Sequence, residues 1–147
     1  MMIWILLINL VVSSIMTGLI WFVQIVHYPL FNKVDTASFP QYQKQHVKRT
    51  GNLVAPLMIL EIIICVLMVA SNDRIDIKHI IWLNLAVLLF IWTCTFSLQV
   101  PLHNKLLGRF DGMVHRSLVR KNWLRTIAWT VKMLLSLALL EQYYAFE

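Results

Sequence analysis

The sequence predicts an all-α integral membrane protein: a four-helix bundle with short interfacial helices on its cytoplasmic side. Three observations carry this. Of 147 residues, 59% are hydrophobic and only 14% charged, where soluble domains have roughly 25% charged residues. The mean hydropathy is +0.70. The charges also gather between long apolar runs, a segregation that a bilayer imposes. The length suits one transmembrane domain, residues 1–147, with short connections and no separate soluble domain.

Hydropathy places the spans at about 3–27, 53–71, 80–101 and 124–143, each near the roughly 20 residues that cross the hydrocarbon. All four are expected to be helices, because lipid offers no partner to an unpaired backbone amide. The first reads as a retained span rather than a cleaved signal. It lacks a basic leader, its apolar run is too long, and "VVSSIMTG" leads into more membrane-length sequence. Cys65 and Cys94 lie inside spans with no CxxC spacing and read as small core residues.

Basic residues orient the spans. The 28–52 connection holds Lys33, Lys44, Lys48 and Arg49 against Asp35; the 102–123 connection holds Lys105, Arg109, Arg116, Arg120 and Lys121 against Asp111. The 72–79 connection is balanced, and the tail "EQYYAFE" is acidic. Positive-inside topology then puts both basic connections in the cytoplasm and both termini outside, in a bacterial inner membrane. The net charge of +6 follows from that topology and from attraction to anionic lipid, with no need for nucleic acid.

Both basic connections carry helical patterning. In "SFPQYQKQHVKRT", Ser38 is placed to cap, Pro40 suits a first turn, and Phe39, Tyr42, His46 and Arg49 are expected on one face. In "KLLGRFDGMVHRSLVRK", apolar and basic residues alternate as in a helix lying in the interface, weakened by Gly108 and Gly112.

Polar residues inside spans are the functional signal, since a charge at mid-membrane costs at least about 2.5–3.5 kcal/mol. Glu61 and Lys132 have opposite sign, and counting from Leu53 and Arg125 places them at equal depth, which predicts a pair. Two readings stand: an ion pair fixing helix register, or the charged wall of a pocket. Asn122, Arg125, Trp129 and Lys132 form one stripe along span four. Thr95 and Gln99 on span three, continued by His103, and Trp21, Gln24, His27 and Tyr28 on span one open toward the same end. Asn9, Ser13, Ser14 and Asn84, in the outer half, read as helix–helix glue.

His27, His46 and His103 come from three elements that end at one membrane face, with Glu61 below them. Three histidines and a carboxylate suffice for Zn, Fe or Cu. Three interfacial histidines bonding headgroups, backbone or one another is the plainer reading, since HxxxH, HExxH and ExxH spacings are all absent. His79 and His115 read as solvated.

The stretches "TGLIWFVQIVHYPLF", "VAPLMILE", "LQVPLHNKL" and "NWLRTIAWT" resemble a group of small uncharacterised bacterial four-helix membrane proteins. More distantly, the layout is similar to the anthrone oxygenase-like membrane family. Gly18, Ala55-Pro56, Pro101-Asn104-Leu107 and Trp123-Arg125 carry that likeness. It implies a four-span fold and an oxidative role on a flat hydrophobic molecule.

The expected function is therefore oxidation of a quinol- or anthrone-like molecule in a cytoplasm-facing polar pocket. His27 and His103 would act as proton acceptors or metal ligands, and Arg125 and Asn122 would hold a carbonyl or phenolate oxygen. Trp129 would stack on the ring, and Glu61 with Lys132 would set the field. Gln24, Tyr28, Tyr42, Arg49, Gln99 and Asn104 complete the expected binding set. The alternative is a non-enzymatic membrane protein that binds lipid, haem or quinone, or supports a larger complex. A transporter ranks last, because the outer half offers no continuous polar path.

Overall fold

In the computed structural model, which describes residues 2–145, the chain forms four long helices. These are α1 (Met2–Lys33), α2 (Phe39–Ala70), α3 (Ile75–Lys105) and α4 (Gly112–Ala145), all long and apolar enough to cross a membrane. No strand occurs among the described residues. Helix α1 packs on α4 and α2, and α3 closes the ring between α2 and α4. Large apolar side chains such as Trp4, Ile15, Phe22, Ile63, Phe90 and Leu134 point outward. In water that surface would be a liability; against lipid tails it is the matched solvent.

The amphipathic stretch of the first basic connection is helical from Phe39, as expected, whereas that of the second is helical only from Gly112, with residues 106–111 irregular. They are not separate helices lying flat, however, but the first turns of α2 and α4. The hydropathic span ends where charge begins, while the backbone hydrogen bonding continues past it. At 1.5 Å per residue, a helix of 32 residues is about 48 Å long, well beyond a hydrocarbon layer of roughly 30 Å. The basic ends of the bundle therefore stand clear of the hydrocarbon.

One cap differs from expectation. Ser38 precedes α2, but its side chain makes no cap bond. Asp35 instead takes hydrogen bonds from the Ala37 and Ser38 amides. Asp111 caps α4, accepting from the amides of Met113 (2.8 Å) and Val114 (3.1 Å). These bonds hold the Asp111 carboxyl below its ordinary value.

Both α1 and α3 contain a widened π turn, Val23–His27 and Thr95–Gln99. Each turn is closed by an amide bonding five residues back, Tyr28 to Val23 and Val100 to Thr95. A proline follows each closing residue at once, Pro29 and Pro101. Proline lacks an amide and its ring clashes with the carbonyl four residues earlier. The π turn accommodates it without breaking the helix, and such bulges favour functional positions.

Apolar packing forms three clusters along the bundle. Leu6, Ile64, Met68, Ile81, Leu88 and Leu139 fill the end near the termini. Met16, Ile20, Met58, Ile91 and Trp129 fill the middle. Tyr28, Phe31, Phe39, Leu102, Leu106 and Leu118 fill the connection end.

Candidate functional site

Glu61 and Lys132 pair at 3.1 Å, as their equal depth predicted, with both side chains wholly shielded. The pair sits in a network drawn from all four helices. Lys132 Nζ donates to Ser13 Oγ (2.8 Å) and Asn9 Oδ1 (3.2 Å), and Trp129 Nε1 donates to Glu61 Oε2 at 3.2 Å. Asn9 and Asn84 both donate to Ser136 Oγ. Every charged atom here has a partner, and neither Glu61 nor Lys132 lines the cavity described next. This geometry favours the register-fixing reading over the pocket wall. Asn9, Ser13 and Asn84 act as glue as expected, while Ser14 is exposed and bonds the Leu10 carbonyl of its own helix.

A cavity of about 170 Å³ lies nearer the connection end. Leu19, Ile20, Val23, Val47, Val54 and Val100 supply its apolar wall; Tyr28, His46, Thr50, Gln99, His103 and Arg125 supply its polar one. Gly51, Val100 and Asn104 are exposed at its edge, and the lower part of α3 packs mainly on α4. The mouth therefore opens sideways between α2 and α3. A Cβ built on Gly51 would meet nothing within 4 Å.

Two buried groups face this cavity without satisfaction. Gln99 is 2% exposed, and neither its amide nitrogen nor its oxygen has a partner. Arg125 is 7% exposed, and its Nε has none. Arg125 also has no ion pair with a carboxylate among the described residues. Its side chain is aimed by a chain of amides. Gln24 Nε2 donates to the Val119 carbonyl, which turns Gln24 Oε1 toward Asn122 Nδ2 (2.9 Å). Asn122 Oδ1 then accepts from Arg125 Nη1 at 3.1 Å. The guanidinium lies over the Trp129 ring at 5.2 Å, and Arg125 and Tyr28 line the same cavity.

Hydrogen bonding assigns the protons on this wall. Gln43 Nε2 bonds both the His103 carbonyl (3.3 Å) and His103 Nδ1 (3.0 Å). A carbonyl only accepts, so the Gln43 amide donates to both and His103 Nδ1 carries no proton. The His103 proton is then on Nε2 and donates to the Tyr28 oxygen at 2.8 Å. Tyr28 receives from His103, which leaves its own O–H free to donate into the cavity. His115 Nε2 likewise donates to the Tyr28 carbonyl at 2.8 Å.

The three histidines, which the topology only placed at one membrane face, come together, with His27–His46 and His46–His103 ring centroids 4.7 and 5.3 Å apart. His27 Nε2 and His46 Nδ1 bond each other at 2.8 Å, and both His103 nitrogens are engaged. Among the described residues, no three His, Cys, Asp or Glu side chains are arranged to hold a metal ion. Two of the three histidines thus bond one another, and the third bonds Tyr28 and Gln43.

Of the expected site residues, Tyr28, Gln99, His103, Asn104 and Arg125 line the cavity, as does His46. His27 stands one hydrogen bond behind the wall, through His46, and Gln24 two, through Asn122 and Arg125. Asn122 and Trp129 sit behind Arg125, and Tyr42 packs against His27. Arg49 is exposed and off the site. At about 100° per residue it lies roughly 80° from Phe39, whereas Thr50 lies only about 20° away. The true inner face is Phe39, Gln43, His46 and Thr50, so Gln43 and Thr50 were missed where Arg49 was chosen. His115, expected to be solvated, is buried. His79 is exposed as expected. Comparison with family models, curated proteins and solved structures finds no match to this chain.

Proposed function

We propose that this membrane bundle binds the oxygenated ring of a small lipid-soluble molecule of the quinol or phenol class, entering from the bilayer between α2 and α3. One observation carries the reading: a buried, carboxylate-free Arg125 and an unpartnered Gln99 face a largely apolar cavity. Leaving such donors unmet costs roughly 1–3 kcal/mol each, more for a charge. A ligand oxygen relieves both. Arg125 and the free Tyr28 O–H supply donors toward one oxygen, and Gln99 offers a donor and an acceptor to the ligand. A volume of about 170 Å³ is close to the ~150 Å³ that holds one benzene ring. A single ring fits it more closely than a three-ring anthrone or a haem. The Lys and Arg of the connections support a cytoplasmic position for the cavity end, in a bacterial inner membrane. In an oxidative role the same cavity would be the reaction site.

The test is titration of the nanodisc-embedded protein with a short-tailed benzoquinol, read by calorimetry. Saturable one-to-one binding is expected, weakened by Gln99→Leu and by Tyr28→Phe. Binding unchanged in both variants would reject this site.

A further inference from the structure

We infer that His46 and His27 form a two-step proton path between the cavity and the aqueous face. This rests on the cavity taking a ligand with an ionisable O–H. His46 lines the cavity, and its Nε2 has no partner among the described residues. Its other nitrogen, Nδ1, meets His27 Nε2 at 2.8 Å. His27 is only half-buried, at the connection end, and its Nδ1 is again unpartnered among the described residues. Each ring therefore receives on one nitrogen and releases from the other, which is the geometry an imidazole relay needs. Thr50 Oγ1, 3.2 Å from His46 Nδ1, can accept or donate as the proton moves.

The step balances without an oxidant. The ligand O–H bond breaks and an N–H bond forms at His46 Nε2. The His46 Nδ1–H bond breaks as one forms at His27 Nε2, and His27 Nδ1 gives its proton to water. The oxygen keeps its electron pair and stands as an anion before Arg125 and Tyr28. The surroundings suit this. Tyr28 and Tyr42 face His27, and His103 faces His46. Arg125, from α4, brings a fixed positive charge to the same cavity. No carboxylate lies within ion-pair distance of either ring among the described residues, so nothing traps the proton midway. His103 cannot serve as the exit, because Gln43 and the Tyr28 oxygen already fix both its nitrogens.

The probe is 4-nitrophenol, a single-ring phenol whose absorption reports its protonation, with the protein in nanodiscs. Equilibrium titration comes first. Absence of saturable binding to the unaltered protein would sink the cavity reading and this inference together. With binding established, a pH jump reads proton loss from the bound probe. His27 lies behind the wall and does not meet the ligand, so His27→Phe and His27→Gln should still bind the probe saturably. Both should slow proton loss by roughly 10²-fold, the scale of one general-base contact. Added imidazole should restore the rate, an effect that a packing role for His27 does not produce. Gln keeps a hydrogen bond to His46 but cannot pass a proton between two nitrogens, so it decides the matter if the Phe variant misfolds. Full-rate proton loss in the Gln variant, with binding intact, would overturn the relay and leave the cavity reading standing.

Discussion

Lys132 Nζ lies 3.1 Å from Glu61 Oε1, and neither side chain has any exposed surface. Separated by 71 positions in sequence, the two residues hold α2 against α4 at the middle of the bundle. Glu61→Gln leaves a buried cation short of its counter-charge and should destabilise the fold by about 3–5 kcal/mol. Glu61→Gln combined with Lys132→Met should recover much of that loss. Unfolding in a denaturing detergent series measures all three, and additive single effects would mean the pair is not coupled.

The amide chain behind Arg125 makes a second prediction. Gln24→Leu removes the acceptor that orients Asn122, which frees Arg125 to wander. Benzoquinol affinity should fall about tenfold, or ~1.4 kcal/mol, although Gln24 does not line the cavity. Calorimetry on this variant checks it, with helix content as the control.

Gly51 stands at the sideways mouth with open space before it. Gly51→Trp should slow ligand entry and exit strongly while leaving the bundle assembled. Stopped-flow association compared with Gly51→Ala, which is too small to obstruct, reads the effect. Equal association rates would place the entrance elsewhere.

Orientation is testable by labelling. Cysteines at Lys44 and Arg116 should resist impermeant thiol reagents in whole cells, and one at Asp76 should react, because the basic connections carry the positive-inside signal. The converse pattern would put the cavity end outside.

At the head of α4, the backbone bonds of Asp111 lower its carboxyl below the ordinary value. The sign follows from linkage. Its contribution is complete above the unfolded carboxyl value and is lost as pH falls through the lower folded one. Asp111→Asn keeps a capping oxygen and should abolish that acid-side loss, whereas Asp111→Ala should fray the first turn at neutral pH as well. Hydrogen exchange at Met113 and Val114 across pH distinguishes the three proteins.

Charge segregation made the four helices legible, and a depth count made the Glu61–Lys132 pair legible, because both follow from one coordinate, distance along the membrane normal. Rotation about each helix was harder to read. Counting forward in threes and fours from Phe39 reaches Arg49, but that count drifts off the face after three turns, and Thr50 holds the inner position. The π turns were invisible to hydrophobic periodicity, since one added residue changes no composition. Gln43 and His115 carried no pattern of their own. Their roles come from meeting His103 and the Tyr28 carbonyl, contacts that exist only once the bundle has closed.

Each π turn amounts to one inserted residue in an otherwise regular helix. Excision of a single position within Val23–His27 would rotate everything C-terminal to it by about 100°. Tyr28 and His27 would swing toward lipid, and Pro29 would clash with the carbonyl below it. The same holds for Thr95–Gln99, with Gln99, His103 and Pro101. Chain length in these two short segments is therefore as constrained as side-chain identity. Lengthening or shortening either by one residue should empty the cavity wall even when every polar side chain is retained.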